Sequence, residues 1–189
     1  MELRTVIKKR KSVRRFSEAK PNWRKIIEAI DLARFAPSAG NIFNLRFILV
    51  SDKEKIEKLA EASQQSFVKT ARFVVVAFSD KVKLTRSYGE RGERYSSLQA
   101  GASIQNFLLA LTEIGLVTTW VGYFYDEKVK EILSIPDEMI VEGIFPIGKE
   151  TKIKTPEKIK AELESILYYG AYGVAHKLML PETIATDVA

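Results

Sequence analysis

The run Phe73-Val74-Val75-Val76-Ala77-Phe78 narrows what this chain can become more than any other stretch. It is apolar throughout and rich in valine, so it favours a strand. A half-exposed strand would alternate apolar with polar side chains, so this one is expected to be covered on both faces. Apolar layers must then lie above and below it. The segment from Trp23 to about Ala36 repeats Ile26, Ile27, Ile30 and Ala33 at helical spacing. A longer helix, capped by Ser96 or Ser97 and reaching Ile114, carries Leu98, Ala102, Ile104, Leu108, Leu109 and Leu111 around most of its circumference. A helix apolar nearly all round is a central one. Gly115 closes it as a C-cap.

The remaining elements follow from the same periodicities. Residues 2–10 form a short helix with Leu3, Val6 and Ile7 on one face, and Lys11 to Lys20 is a loop ended by Pro21. Asn22 caps the Trp23 helix, which stops at Pro37-Ser38-Ala39-Gly40-Asn41. Leu45–Val50, Val117–Phe124 and Met139–Gly148 are three more strands. Ser51 with Glu54 makes a capping box for a helix through Ala62, and Glu127–Leu133 is another helix. Lys81 to Arg94 has no apolar period and reads as a mobile loop. Alternating helices and strands give an α/β or α+β class, with a mixed sheet flanked by helices. Residues 1–173 make one domain, and 174–189 a C-terminal tail. The chain beyond about Pro156 has too little patterning for its own core, so it is expected to wrap another surface, a partner subunit being the natural candidate.

Composition removes several kinds of chemistry. There is no cysteine among the 189 residues, hence no disulfide, thiolate metal site or cysteine nucleophile. The single histidine, His176, leaves little room for a zinc centre or a Ser-His-Asp triad, and it reads as a tail residue without catalytic duty. No metal site is expected. Carboxylates are plentiful but stand at surface salt-bridge spacings, and neither a Walker lysine loop nor Gly-x-Gly-x-x-Gly after a strand is present. No apolar run has the length of a membrane span, and Met1-Glu2-Leu3-Arg4 lacks a signal peptide's apolar core, so a cytoplasmic location is the expectation. The net charge of +6 fits either nucleic acid or smaller anions such as phosphorylated cofactors. The basic residues are mostly scattered among acids, with no aromatic-basic stripe, which counts against nucleic acid. The chemistry is therefore expected to reside in a bound cofactor, with no catalytic side chain of the protein's own.

Groups suited to a phosphate and a ring stand at four separated places. In Arg10-Lys11-Ser12-Val13-Arg14-Arg15-Phe16, the alternating Arg10, Ser12 and Arg14 share one side of an extended segment. Pro37-Ser38-Ala39-Gly40-Asn41 is a helix-ending turn. Two amides, Gln64 and Gln65, precede the valine-rich strand. Thr119-Trp120-Val121-Gly122 ends near a glycine that permits close approach of backbone to a ligand.

In this order and spacing the segments resemble the nitroreductase family, from Arg4 to about Gly173. The resemblance implies a homodimer of that family's fold, intertwined through a C-terminal arm, with FMN at the subunit interface. Arg10 would hold the FMN phosphate, with Lys11 beside it, while Ser12 and Arg14 reach the ribityl chain and pyrimidine edge. Pro37, Ser38, Ala39 and Asn41 would approach the flavin from the other subunit, Gln65, preferred over Gln64, would contact the pyrimidine, and Val121 and Gly122 would face N5. Lys158 and Lys160 resemble the family's C-terminal basic pair and would add phosphate cations. The implied reaction is ping-pong: NAD(P)H gives hydride to flavin N5 and leaves, then a small nitroaromatic or quinone acceptor takes the electrons. One departure stands out. Where the family continues with Gln-Pro-Trp, this chain has Phe43-Asn44-Leu45 after Ile42. That difference keeps open another reaction on the same fold, such as reductive dehalogenation or consumption of the flavin.

Overall fold

The computed structural model describes residues 1–151 and 160–174. The chain divides into two compact units, Met1–Thr155 and Pro156–Ala189. The first holds α1 (Leu3–Lys9), α2 (Trp23–Ala33), β1 (Leu45–Val50), α3 (Lys53–Ala62), β2 (Phe73–Ser79), α4 (Val82–Tyr88), α5 (Arg91–Glu113), α6 (Asp126–Leu133) and β3 (Ile140–Ile147). β2 is the middle strand of an antiparallel sheet ordered β1-β2-β3, in which Val75 pairs with both Leu49 and Phe145. Every residue of β2 is buried, as its unbroken apolar run requires. Phe73, Val75 and Ala77 pack with Ile26 and Ala33 of α2 and with Ile104, Phe107 and Leu111 of α5. Val74, Val76 and Phe78 face Ile56 and Leu59 of α3 and Val129 of α6. The mixed helix-and-sheet class and the two covering layers are thus as expected. Asn22 caps α2, its side chain accepting from Arg24 N–H at 3.0 Å, and Gly115 follows α5 with φ +74°.

Several local expectations are corrected. The helix at α3 is capped by Asp52, whose carboxylate accepts from Lys55 N–H at 2.9 Å, rather than by Ser51. α2 ends at Ala33, three residues early. The expected loop 81–94 is mostly helical: α4 occupies its first half, and α5 begins at Arg91 rather than at Ser96 or Ser97. Those two hydroxyls are committed elsewhere. Ser96 Oγ accepts from Asn44 Nδ2, and Ser97 Oγ donates to the Glu93 carbonyl. Leu98 is 60% exposed, so α5 is not apolar-packed on all sides within one chain.

The strand expected over 117–124 is broken. Val117 and Gly148 exchange both backbone hydrogen bonds, as do Val121 and Ile144. In this register Thr119 stands opposite Pro146, which has no N–H to give, so the ladder lapses between two isolated bridges. The outer side of the same segment carries a parallel bridge, Ser12 to Thr118. In the second unit, the described residues hold one 3-10 turn, Leu163–Ser165. Among the described residues no helix is long and apolar enough to cross a membrane.

Candidate functional site

Three of the four places meet on the outer side of β3. Val13 is fully buried and its N–H donates to the Thr118 carbonyl at 3.0 Å, which fixes the 10–16 segment alongside 117–121. Alternation in an extended segment then turns Ser12 and Arg14 away from the core, and both are exposed, while Arg10 is half-buried. The Arg14 guanidinium lies 6.0 Å from the Phe67 ring centre. Phe67 sits in the 3-10 turn Ser66–Thr70, which Gln65 opens. That links the first place to the third. Phe16 abuts Gly148 so closely that a Cβ there would strike its ring, which further seats the segment.

The structure separates the two glutamines. Gln64 has φ +53° and its amide donates to Tyr125 Oη at 3.3 Å. Gln65 is half-buried, uses its backbone in bonds to Ala60 and Val68, and has no side-chain hydrogen bond among the described residues. Gln65 is thus the free amide of the pair. Lys11 forms an ion pair with Glu150 at 2.7 Å, so its charge is balanced within the protein.

Val121 and Gly122 differ in the same way. The Val121 N–H and C=O are both engaged with Ile144 at 3.0 Å, and its side chain is buried. Gly122 N–H donates to no acceptor among the described residues, and a Cβ built on Gly122 would meet nothing within 4 Å. Open space and an unspent donor coincide there. Beside it, the Trp120 indole N–H donates to the Glu142 carbonyl at 2.8 Å, and the ring lies where a side chain on Gly143 would stand.

The remaining place, the turn after α2, stands apart. Ala39–Asn41 is a 3-10 turn with Gly40 and Asn41 both at φ +57°. It is tied to α5: Ala39 N–H donates to Gln99 Oε1 at 3.1 Å, and Gln99 Nε2 donates to the Ile42 carbonyl at 2.9 Å. Pro37, Ser38 and Ala39 line an open depression of about 350 Å³ together with Tyr95, Leu98 and Ala102. No hydrogen bond, ion pair or ring contact among the described residues joins this turn to Arg10, Arg14, Gln65 or Gly122. Lys160 is exposed and belongs to the second unit, and Lys158 lies outside the described residues.

Two features escaped sequence reasoning. Glu142 accepts from Ser79 Oγ at 2.5 Å, and burial pushes its carboxyl above the usual range, with the Ser79 bond opposing that rise. Its signal was readable: a lone acid within Ile140-Val141-Glu142-Gly143-Ile144. Gln99, Asn44 and Ser96 form a buried polar chain, and polar residues paired across more than fifty positions leave no local spacing to find.

Comparisons with known proteins identify the family. The profile of the Nitroreductase family matches residues 7–72 and 60–149, which include the 10–16 segment, the 37–41 turn and the Val121-Gly122 pair. A Methanocaldococcus jannaschii protein named "Putative nitroreductase" is 35% identical over 104 residues, 54% of this chain and 52% of that protein, so the match spans about half of each. The iodotyrosine deiodinase of Thermotoga neapolitana is 29% identical over 157 residues, covering 75% of this chain and 84% of the relative. Among solved structures, a Bacteroides thetaiotaomicron protein titled "Putative NADH dehydrogenase/NAD(P)H nitroreductase" aligns with a TM-score of 0.77 at 26% identity, over 90% of this chain and 98% of that one. With the family profile spread over most of the first unit and the same fold on both sides of the alignment, this chain belongs to the nitroreductase family.

Proposed function

We propose that the protein is an FMN-dependent oxidoreductase that takes electrons from NAD(P)H and delivers them to small nitroaromatic or quinone-like acceptors, working as a homodimer with the flavin at the subunit interface. The observation that carries this reading is Gly122: a backbone N–H with no acceptor among the described residues, open space where a side chain would stand, and the 10–16 cation segment running alongside. Such a group fits the edge of a flat ring approached closely by backbone. The residues present also suit FMN in kind. Arg10 offers a bidentate fork for the phosphate and Ser12 a hydroxyl for the ribityl chain. Arg14 supplies positive charge for the pyrimidine edge, where reduced flavin carries its negative charge, and Gln65 brings a free amide to the same edge. The turn Pro37–Asn41, which stands apart from these groups, serves the neighbouring subunit's flavin.

When bound, FMN supplies hydride chemistry at N5. The chain's own work is to hold the phosphate, orient the ring, favour its reduced charge and leave one face open to donor and acceptor in turn. The name of the solved relative supports a nicotinamide donor. A second reading has its own support in the deiodinase relative and in the Phe43-Asn44-Leu45 departure: the same flavin site used for reductive dehalogenation.

The test is spectroscopic. Purified protein is expected to carry flavin absorption bands, and anaerobic mixing with NADH or NADPH to bleach the band at about 450 nm. Recovery of the band on adding a quinone or nitroaromatic completes the case. Bound flavin that neither nicotinamide reduces would overturn the donor assignment and favour the second reading.

A further inference from the structure

We propose that Gln99 is the positioning residue of the Ser38–Asn41 turn, holding its left-handed backbone ready for the flavin through a buried amide chain that runs to Ser96. This rests on the reading that the turn meets flavin.

Gln99 is 6% exposed and makes three hydrogen bonds outside its own helix. Its Oε1 accepts from Ala39 N–H at 3.1 Å, and its Nε2 donates to the Ile42 carbonyl at 2.9 Å and to Asn44 Oδ1 at 2.5 Å. Asn44 Nδ2 in turn donates to Ser96 Oγ at 2.5 Å. The two backbone bonds grip the chain on either side of Gly40 and Asn41. Between them lie two successive left-handed residues, one of which is not glycine. Such a conformation persists only where its surroundings over-determine it. Here the turn's own backbone bonds, Asn41 N–H to the Ser38 carbonyl and Ile42 N–H to the Ala39 carbonyl, are reinforced from α5 by the Gln99 amide. Its chemistry is specific: one oxygen meets a donor and one nitrogen meets two acceptors. A carboxylate in its place would face two oxygens, and an apolar side chain would leave Ala39 N–H and the Ile42 carbonyl without their partner.

The sequence departure after Asn41 gains a meaning from this. Asn44 is buried and bonded to both Gln99 and Ser96, so it belongs to the clamp rather than to the surface that meets an acceptor. Fully satisfied buried networks rigidify what they hold. This one ties the turn to α5, the helix that also covers the sheet.

The experiment compares wild type with Gln99→Met, Asn44→Ala and Ser96→Ala. Three quantities are read: affinity for FMN and for riboflavin, the visible circular dichroism of bound flavin, and the melting temperature of the flavin-free protein. Gln99→Met is expected to weaken both flavins by the same factor, about 10-fold, and to alter the dichroism, because the turn meets the ring and not the phosphate. Ser96→Ala, which makes no contact with the turn, is expected to give a smaller loss of the same kind and an altered dichroism, together with a lower melting temperature from the Asn44 amide left unpaired. Variants with wild-type affinity for both flavins and wild-type dichroism overturn the inference while leaving the flavin reading intact. If Gln99→Met does not fold, Asn44→Ala and Ser96→Ala decide by the same criterion. A wild-type protein that takes up neither flavin overturns both readings together.

Discussion

In the proposed flavin site Arg10 and Gly122 would divide two tasks, and single substitutions can tell them apart. Arg10 is assigned to the phosphate, so Arg10→Ala is expected to remove a charge-assisted contact of about 1.5–3 kcal/mol and lower FMN affinity by roughly 10- to 150-fold. Riboflavin, which lacks the phosphate, is expected to bind as before; titrations that show equal losses for both would sink the assignment. Gly122→Val fills the open space beside the free N–H, and its branched side chain is expected to block nicotinamide-driven reduction. Among the described residues no atom beyond the chain neighbours lies within 4 Å of a Cβ placed at Gly122, so the melting temperature of the flavin-free variant is expected to change little. A variant that is fully reduced at the wild-type rate would remove Gly122 from the site. Glu142 makes a different kind of prediction. Its carboxyl is raised above its ordinary 4.5 chiefly by burial, so the folded chain keeps a proton that the unfolded chain has already released. Stability from this group is therefore lost as pH climbs from about 4.5 through the folded value. Glu142→Gln is expected to melt higher than wild type at pH 7–8, with the difference shrinking toward pH 4. A difference independent of pH would mean that the Ser79 contact, rather than ionisation, governs the residue.

At the scale of elements, legibility followed burial. β2, α2 and the body of α5 face the core with whole side chains, and their periodicities were plain in the sequence. The α4–α5 corner was not, because it packs by backbone proximity. Gly92 is buried against the Leu84 carbonyl and the Thr85 Cα, and any Cβ there would overlap them. Of α4 only Leu84 is fully buried, and Lys81 meets Glu93 at 2.6 Å, so little apolar rhythm is needed to hold the pair. Gly92→Ala is accordingly expected to destabilise the fold by about 1–3 kcal/mol, since the obstacle is backbone and not a movable side-chain end. Chemical denaturation would read this, and a neutral result would mean that α4 does not pack as described. The edge at 117–121 failed as a strand for an equally local reason, the missing N–H of Pro146, although each half of the pairing was in place. The candidate site divides likewise. That Ser12 and Arg14 face outward was legible because an extended segment declares its sides. Gln65 was preferred over Gln64 from the sequence, but the physical difference between them, and between Gly122 and Val121, lies in a hydrogen-bond inventory that only the folded chain provides.

For the whole molecule, the apolar surface left uncovered is the informative quantity. Leu3 and Ile7 of α1, Ile27 and Leu32 of α2, Phe35 just beyond it and Leu98 of α5 are all exposed, Phe35 by 66%. Several of them border a shallow groove of about 300 Å³ whose lining includes Leu3, Leu32, Phe35 and Leu109. A monomer gains nothing from presenting so many large apolar side chains on adjoining helices, whereas a second subunit would cover them. The same dimer would explain why the Ser38–Asn41 turn stands apart from the Arg10–Gly122 group in its own chain. These two observations make a joint prediction. Phe35→Asp places a charge on a side chain that is solvent-facing in one subunit, so the fold of the subunit is expected to survive, as far-ultraviolet circular dichroism would show. Burying that charge in an interface is costly, so sedimentation is expected to find monomers. Flavin is then expected to be lost along with the dimer, FMN and riboflavin alike, because each ring would lack the turn that the neighbour contributes. A Phe35→Asp monomer that stays fully flavin-loaded would break the link between assembly and cofactor, and would place the whole flavin site within one chain.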